Sequence, residues 1–371
     1  MPLTAVDLLK NKLLAQLEKE EPGNIDFYFR KWTDLLHYLG DNYAIQERFF
    51  RHYYNAFKLE LNSIISVHLA TRTNLITIYE KLINAEPKEC LENLTASAKT
   101  YGLFALQRED EDYATLRKPF LDLDRIQGAP SYLLLLHLVE KREELDLDLE
   151  TLKRICELLV SFFVRRNLTD TPPTRDLTRI FMRMIESIAD ARGAAVFDIV
   201  RDELVDVSAS DEDFLDRLKG PIYAENNWVT RFLLCTLAED KMTKETQVDL
   251  WRYEGKHLVW TIEHIFPQGE NIPDSWVDMT AAGNRERAKE IQQEFVHQLG
   301  NLTITGFNSS LGNKSFHEKR DRKDKKGRPV GYKNGLQLNA ELANTDCWSA
   351  EQIKERTIRL AKELTQRFSL T

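Results

Sequence analysis

Apolar residues recur at helical spacing through the first 220 positions, and polar or proline-bearing turns interrupt them repeatedly. Residues 4 to 20 carry Val6, Leu8, Leu9, Leu13, Leu14 and Leu17 at helical spacing before Pro22-Gly23 ends the run. The same pattern predicts helices over 24–39, 43–57, 63–82, 88–101, 109–121, 132–144, 148–165, 174–189 and 211–218, with Gly128-Ala-Pro130 and Thr169-Asp-Thr-Pro-Pro173 as breaks. No fixed-period repeat emerges. Phe49, Phe50, Tyr53 and Tyr54 could stack on unpaired bases, but aromatics at helical spacing in an acidic half favour a core role.

Beyond residue 222 the period changes. After two further predicted helices, 226–237 and 244–251, an apolar run ends in Glu263-His264 and is stopped by Pro267, which predicts a strand opening into a loop. A second strand reads from Asn301 to Thr305, where Thr303, Ile304 and Thr305 are β-branched. Ser349 and Gln352 form a capping box ahead of a last helix, striped by Ile353, Leu360, Ala361, Leu364 and Phe368. The expected architecture is mostly α: an all-helical scaffold over 1–222, then an α+β domain over 223–371.

Neighbouring residues of a strand face opposite ways, so Glu263 and His264 can hold a metal and face a reacting water from different sides. Three blocks then stand in order: Ile262-Glu-His-Ile-Phe-Pro-Gln268, His297-Gln-Leu-Gly-Asn-Leu-Thr303 and Asn308-Ser-Ser-Leu-Gly-Asn-Lys-Ser-Phe-His-Glu-Lys319. Together they resemble the C-terminal HNH domain of GmrSD-type, modification-dependent restriction endonucleases, and the preceding helical stretch resembles the region that leads into that domain. The resemblance implies a ββα-metal nuclease core within the second domain.

Phosphodiester hydrolysis requires a base for the attacking water, a divalent ion and donors that hold the strand. His264 is the candidate base, because neutral imidazole accepts a proton near pH 7, and Glu263 is the candidate ligand for a hard cation, Mg2+ or Mn2+. Asn301 matches the middle asparagine of the HNH pattern, a residue that ties the loop between the elements. Asn308 and Asn313 compete for the second ligand position, with an N-cap as the plain alternative for Asn308. His297 is expected either to contact phosphate or orient a ligand, or to be a helix-end histidine; Lys314, Lys319 and Arg320 are expected phosphate contacts.

Charge sharpens this picture. The chain of 371 residues has a net charge of −8, yet residues 314–333 hold nine Lys or Arg against three acids, a local +6. Cys90, Cys156, Cys235 and Cys347 lie too far apart for a zinc knuckle or a disulfide framework. No signal-like or membrane-spanning run occurs, so the expected address is cytoplasmic. Residues 2–11 resemble the tail of the family's N-terminal nucleotide-hydrolysing domain, whose Asp-Gly-Gln-Gln-Arg signature is absent. The expected partner is therefore DNA, plain or modified, with nucleotide hydrolysis left to a separate protein and a homodimer as the simplest means of cutting both strands. Two alternatives stand beside it: a partner-dependent helical subunit with an inactive HNH domain, and a nuclease acting on RNA.

Overall fold

The computed structural model describes residues 3–371, with Ser310 described by its backbone alone. Pro2, which heads the stretch resembling a nucleotide-hydrolysing tail, lies outside them. The chain is mostly helical and divides into two compact units: residues through 163 with 172–207 and 370–371, and residues 164–171 with 208–369.

The described residues of the first unit form helices and no strand, beginning with Ala5–Glu20, Ile25–Leu39 and Tyr43–Ala56. Phe49, Phe50 and Tyr54 are completely buried. Phe50 stacks on Trp32 at 5.9 Å and Phe49 meets Tyr101 edge-on at 5.3 Å, so these rings form the core and offer no face to a base. The helix expected over 63–82 begins only at Leu75. Ahead of it, Tyr54 Oη serves both the N–H and the carbonyl of Val67, and the Asn55 amide brackets Ala70; these bonds hold the backbone in an irregular path. Ala194–Val207, not anticipated, is helical and buries Val196, Val200 and Leu204.

In the second unit the segment 208–222 belongs with the residues C-terminal to it: the helix Asp211–Lys219 packs on the C-terminal helix Ala350–Arg367. The expected helix 244–251 is a turn instead, closed by Thr246 Oγ1 on Thr243 N and Asp249 Oδ1 on Trp251 N. Two antiparallel pairs come next. Strands β1 (Tyr253–Glu254) and β2 (His257–Leu258) form a short ribbon; β3 (Thr261–His264) pairs with β4 (Leu302–Thr305), setting Glu263 opposite Thr303 and His264 opposite Leu302. Between β3 and β4 run the helices Asp274–Ala281 and Arg285–Phe295, and after β4 come the short helices Asn308–Leu311 and Phe316–Arg320.

Buried guanidiniums fix this pair. Arg231 donates to the carbonyls of Trp260 and Leu250, both at 2.6 Å, and so anchors the entry to β3. Arg356, almost wholly buried, donates to Gly300 and Leu302 carbonyls at 2.8 Å and anchors the entry to β4. The C-terminal helix comes so close that a Cβ at Gly300 would run into the Ile353 carbonyl. Gln352 Oε1 accepts from Ser349 N at 2.8 Å at the start of that helix. Behind the strands, Phe266, Trp276, Phe316, Tyr332, Trp348 and Ile353 form the unit's core, with Phe316 stacked on Trp348 at 6.0 Å.

Candidate active site

The end of β3 delivers Glu263 and His264 to opposite environments, and both are buried, at 3% and 6% exposure. Glu263 faces the helix Phe316–Arg320, whose start is fixed by the Ser315–Glu318 capping box. From it Lys319 Nζ donates to Glu263 Oε1 at 2.7 Å, to the His264 carbonyl at 2.8 Å and to the Ile265 carbonyl at 3.1 Å. Three ammonium protons meet three acceptors, and the Lys319 side chain has no exposed surface. It is thus placed as an internal counter-ion and not as the surface phosphate contact expected from the sequence. Burial pushes the Glu263 carboxyl up and the Lys319 ammonium down, while each partner's charge opposes the other's shift.

His264 faces two rings. Its Nε2 lies 3.3 Å from His297 Nδ1, and the Tyr223 ring meets it edge-on at 4.6 Å while lying flat against His297 at 5.4 Å. Burial, helped by His297 and Lys319, lowers His264 to about 3, and burial lowers His297 as well. Both imidazoles are therefore neutral at pH 7. Tyr223 was not legible as a site residue: it is 41 positions from His264, and no spacing rule connects them.

Asn301 is completely buried and spends its amide on the backbone. Its Oδ1 accepts from Phe266 N at 2.8 Å, and its Nδ2 donates to the carbonyls of Phe266 at 2.9 Å and Val296 at 3.0 Å. This ties the loop after β3 to the end of the helix Arg285–Phe295. Asn308, half-buried at the head of its short helix, donates Nδ2 to the Ile262 carbonyl at 2.6 Å; among the described residues no donor reaches its Oδ1. Asn313 is exposed, beside Gly269.

The remaining basic residues are unequally committed. Arg320 donates to Asp321, to the Thr345 carbonyl at 2.8 Å and to Asp346, and Lys333 reaches Asp321 at 2.5 Å. Asp321 is held well below the usual carboxylate range by Arg320 first and Lys333 second. Lys314 lies 3.8 Å from Glu318. Lys323, Lys325 and Lys326 are exposed on a tight turn that Asp324 organises, accepting from Lys326 N at 2.8 Å and Arg328 N at 2.9 Å. A Cβ at Gly331 would run into the Lys319 carbonyl, so the foot of this turn lies against the helix that carries Lys319.

Oxygen donors from Glu263 and Asn308 suit a hard cation by type, although Glu263 presents its carboxylate to Lys319. Among the described residues no three His, Cys, Asp or Glu side chains gather as a metal cluster. No helix of the described residues is long and apolar enough to cross a membrane.

Residues 208–363 match the family model described as GmrSD restriction endonucleases, C-terminal domain. All three sequence blocks fall inside that match, so the resemblance read from them holds over this segment. No protein of curated function matches the chain.

Proposed function

We propose, taking the GmrSD C-terminal match over residues 208–363 as premise, that the chain is a DNA endonuclease whose second unit carries an HNH-type ββα-metal site. The antiparallel β3–β4 pair followed directly by the Asn308 helix supports that reading. The observation that carries it is His264: a buried imidazole whose Nε2 lies 3.3 Å from His297 Nδ1, next along the strand to Glu263, at the mouth of a strand pair.

In the tautomer whose His264 Nε2–H donates to His297 Nδ1, the lone pair lies on His264 Nδ1. There it takes the proton of an attacking water as the new oxygen–phosphorus bond forms and the bond to the leaving oxygen breaks. His297 holds the ring and the tautomer, and Tyr223 fixes both imidazoles by packing. Asn301 holds the loop that carries the base and does not touch the reacting atoms. Glu263 and Asn308 would hold Mg2+ or Mn2+, which when bound neutralises charge developing on the phosphate. Exposed Lys323, Lys325 and Lys326 supply strand contacts in place of Lys319.

The test is incubation of the full chain with supercoiled DNA, plain and cytosine-modified, and with RNA, with and without Mg2+ or Mn2+. Nicking or linearisation of DNA that needs the ion supports the reading. Cleavage of RNA alone, or of neither nucleic acid, overturns it.

A further inference from the structure

We propose that Lys319 is the resting counter-ion of the candidate site and competes with a divalent cation for the Glu263 carboxylate, so that Lys319 sets how tightly the protein binds its ion. The proposal rests on the reading of Glu263 as an ion ligand. It departs from that reading in giving the carboxylate a built-in cation, supplied by the chain itself.

Three observations carry it. First, an ammonium with no exposed surface sits 2.7 Å from a carboxylate at 4% side-chain exposure. A buried carboxylate is costly without a cation, and here the cation comes from a residue 56 positions away on another element. Second, the ammonium is not held by Glu263 alone. Two of its protons go to the His264 and Ile265 carbonyls, so Lys319 keeps two of its three acceptors when the carboxylate turns to another cation. A flexible four-carbon stem ending in three rotatable donors suits such an exchange. Third, the Tyr332 hydroxyl is buried with no partner among the described residues, and its backbone N–H donates to the Lys319 carbonyl at 3.2 Å. Burial raises that phenol, and the Glu263 charge adds to the rise, so the unused hydroxyl stands within the field of the same carboxylate.

The electrostatic consequence has a fixed sign. A positive charge held beside the ligand opposes arrival of a second cation, and a neighbouring charge of this kind shifts cation binding by about one to three powers of ten, as it does for protons. Removing the Lys319 charge therefore tightens ion binding. Removing the Glu263 charge abolishes it.

Mn2+ binding to the full chain, read by loss of the free-ion EPR signal, tests this without any substrate. Lys319→Met is expected to bind Mn2+ about tenfold or more tightly than the wild type. Glu263→Gln, alone or combined with Lys319→Met, is expected to lose the site. Lys319→Met should also melt below the wild type in chelator and recover more on adding Mn2+, because its buried carboxylate then regains a cation. Should that variant fail to fold, Lys319→Gln keeps a donor for the carbonyls and removes the charge. Unchanged or weaker Mn2+ binding in the folded charge-removed variant, with Glu263→Gln still lacking the site, overturns the competition alone. Wild-type binding in Glu263→Gln overturns the ligand assignment, and the proposal with it.

Discussion

Replacing Asn301 by alanine separates a residue that builds the site from one that reacts in it. The deletion leaves the Phe266 N–H and two carbonyls without the amide that served them at 2.8, 2.9 and 3.0 Å. A buried N–H stripped of its partner costs about 1–3 kcal/mol, and each lost carbonyl bond about 0.5–1.5 kcal/mol. Water entering the small space offsets part of this, so the expected loss is about 3 kcal/mol. Asn301→Asp should lose at least as much, since a carboxylate can accept from Phe266 N but repels both carbonyls. As a control, Asn308→Ala removes one bond from a half-buried side chain and should cost about 1 kcal/mol. Urea unfolding followed by tryptophan fluorescence reports on the right unit, because Trp228, Trp251, Trp260, Trp276 and Trp348 lie in it and Trp32 alone lies in the other. A loss below about 1 kcal/mol in both Asn301 variants would show that the amide does not hold the loop.

Other outcomes stem from the same geometry. Replacing Lys323, Lys325 and Lys326 together by glutamine should lower the slope of log binding constant against log salt by about 0.9 for each phosphate no longer neutralised, leaving the melting temperature unchanged; an unaltered slope removes the turn from the DNA interface. His297→Ala should lower kcat more than it raises KM, and His297→Asn, which retains an acceptor, should recover part of the loss; an effect confined to KM would return His297 to phosphate binding. In the first unit, burial holds His52 neutral well below the usual histidine value of 6.5, with Arg48 and Arg51 adding to the shift. The unfolded chain thus binds a proton below about pH 6.5 that the folded chain refuses, and stability falls on acidification by up to about 1.4 kcal/mol per pH unit for this group. Melting curves from pH 7 to pH 5 should be less acid-sensitive in His52→Gln, and equal sensitivity would rule out this contribution.

What could be read from the sequence was local. Pro267 and the β-branched run at 303–305 marked both strands, and Ser349 with Gln352 marked the last helix, because each signal lies within a few residues of its effect. Arg285–Phe295 buries Ala288, Ile291 and Phe295 at spacings of three and four, a sparse stripe among many charged residues. The helix Ala194–Val207 was not anticipated, although its buried Val196, Val200 and Leu204 stand four residues apart. Lys244–Trp251 resembles a helix in its pattern, but its Thr and Asp side chains serve the backbone in a turn. The pairing of Lys319 with Glu263 had no local sign: a lysine within a basic run reads as a surface charge, and only the fold carries it under Tyr332 to the carboxylate. The same holds for Tyr223 against His264 and His297.

His264 is proposed as the base of a DNA-cleaving site. Initial rates of supercoiled plasmid nicking with Mn2+, wild type against His264→Ala at matched stability, measure it most directly. The wild type is expected to nick the plasmid, and the variant to lose about 10²- to 10⁴-fold in rate, the range expected for removing a general base. Equal rates for the two proteins, or no cleavage by the wild type, would contradict that role.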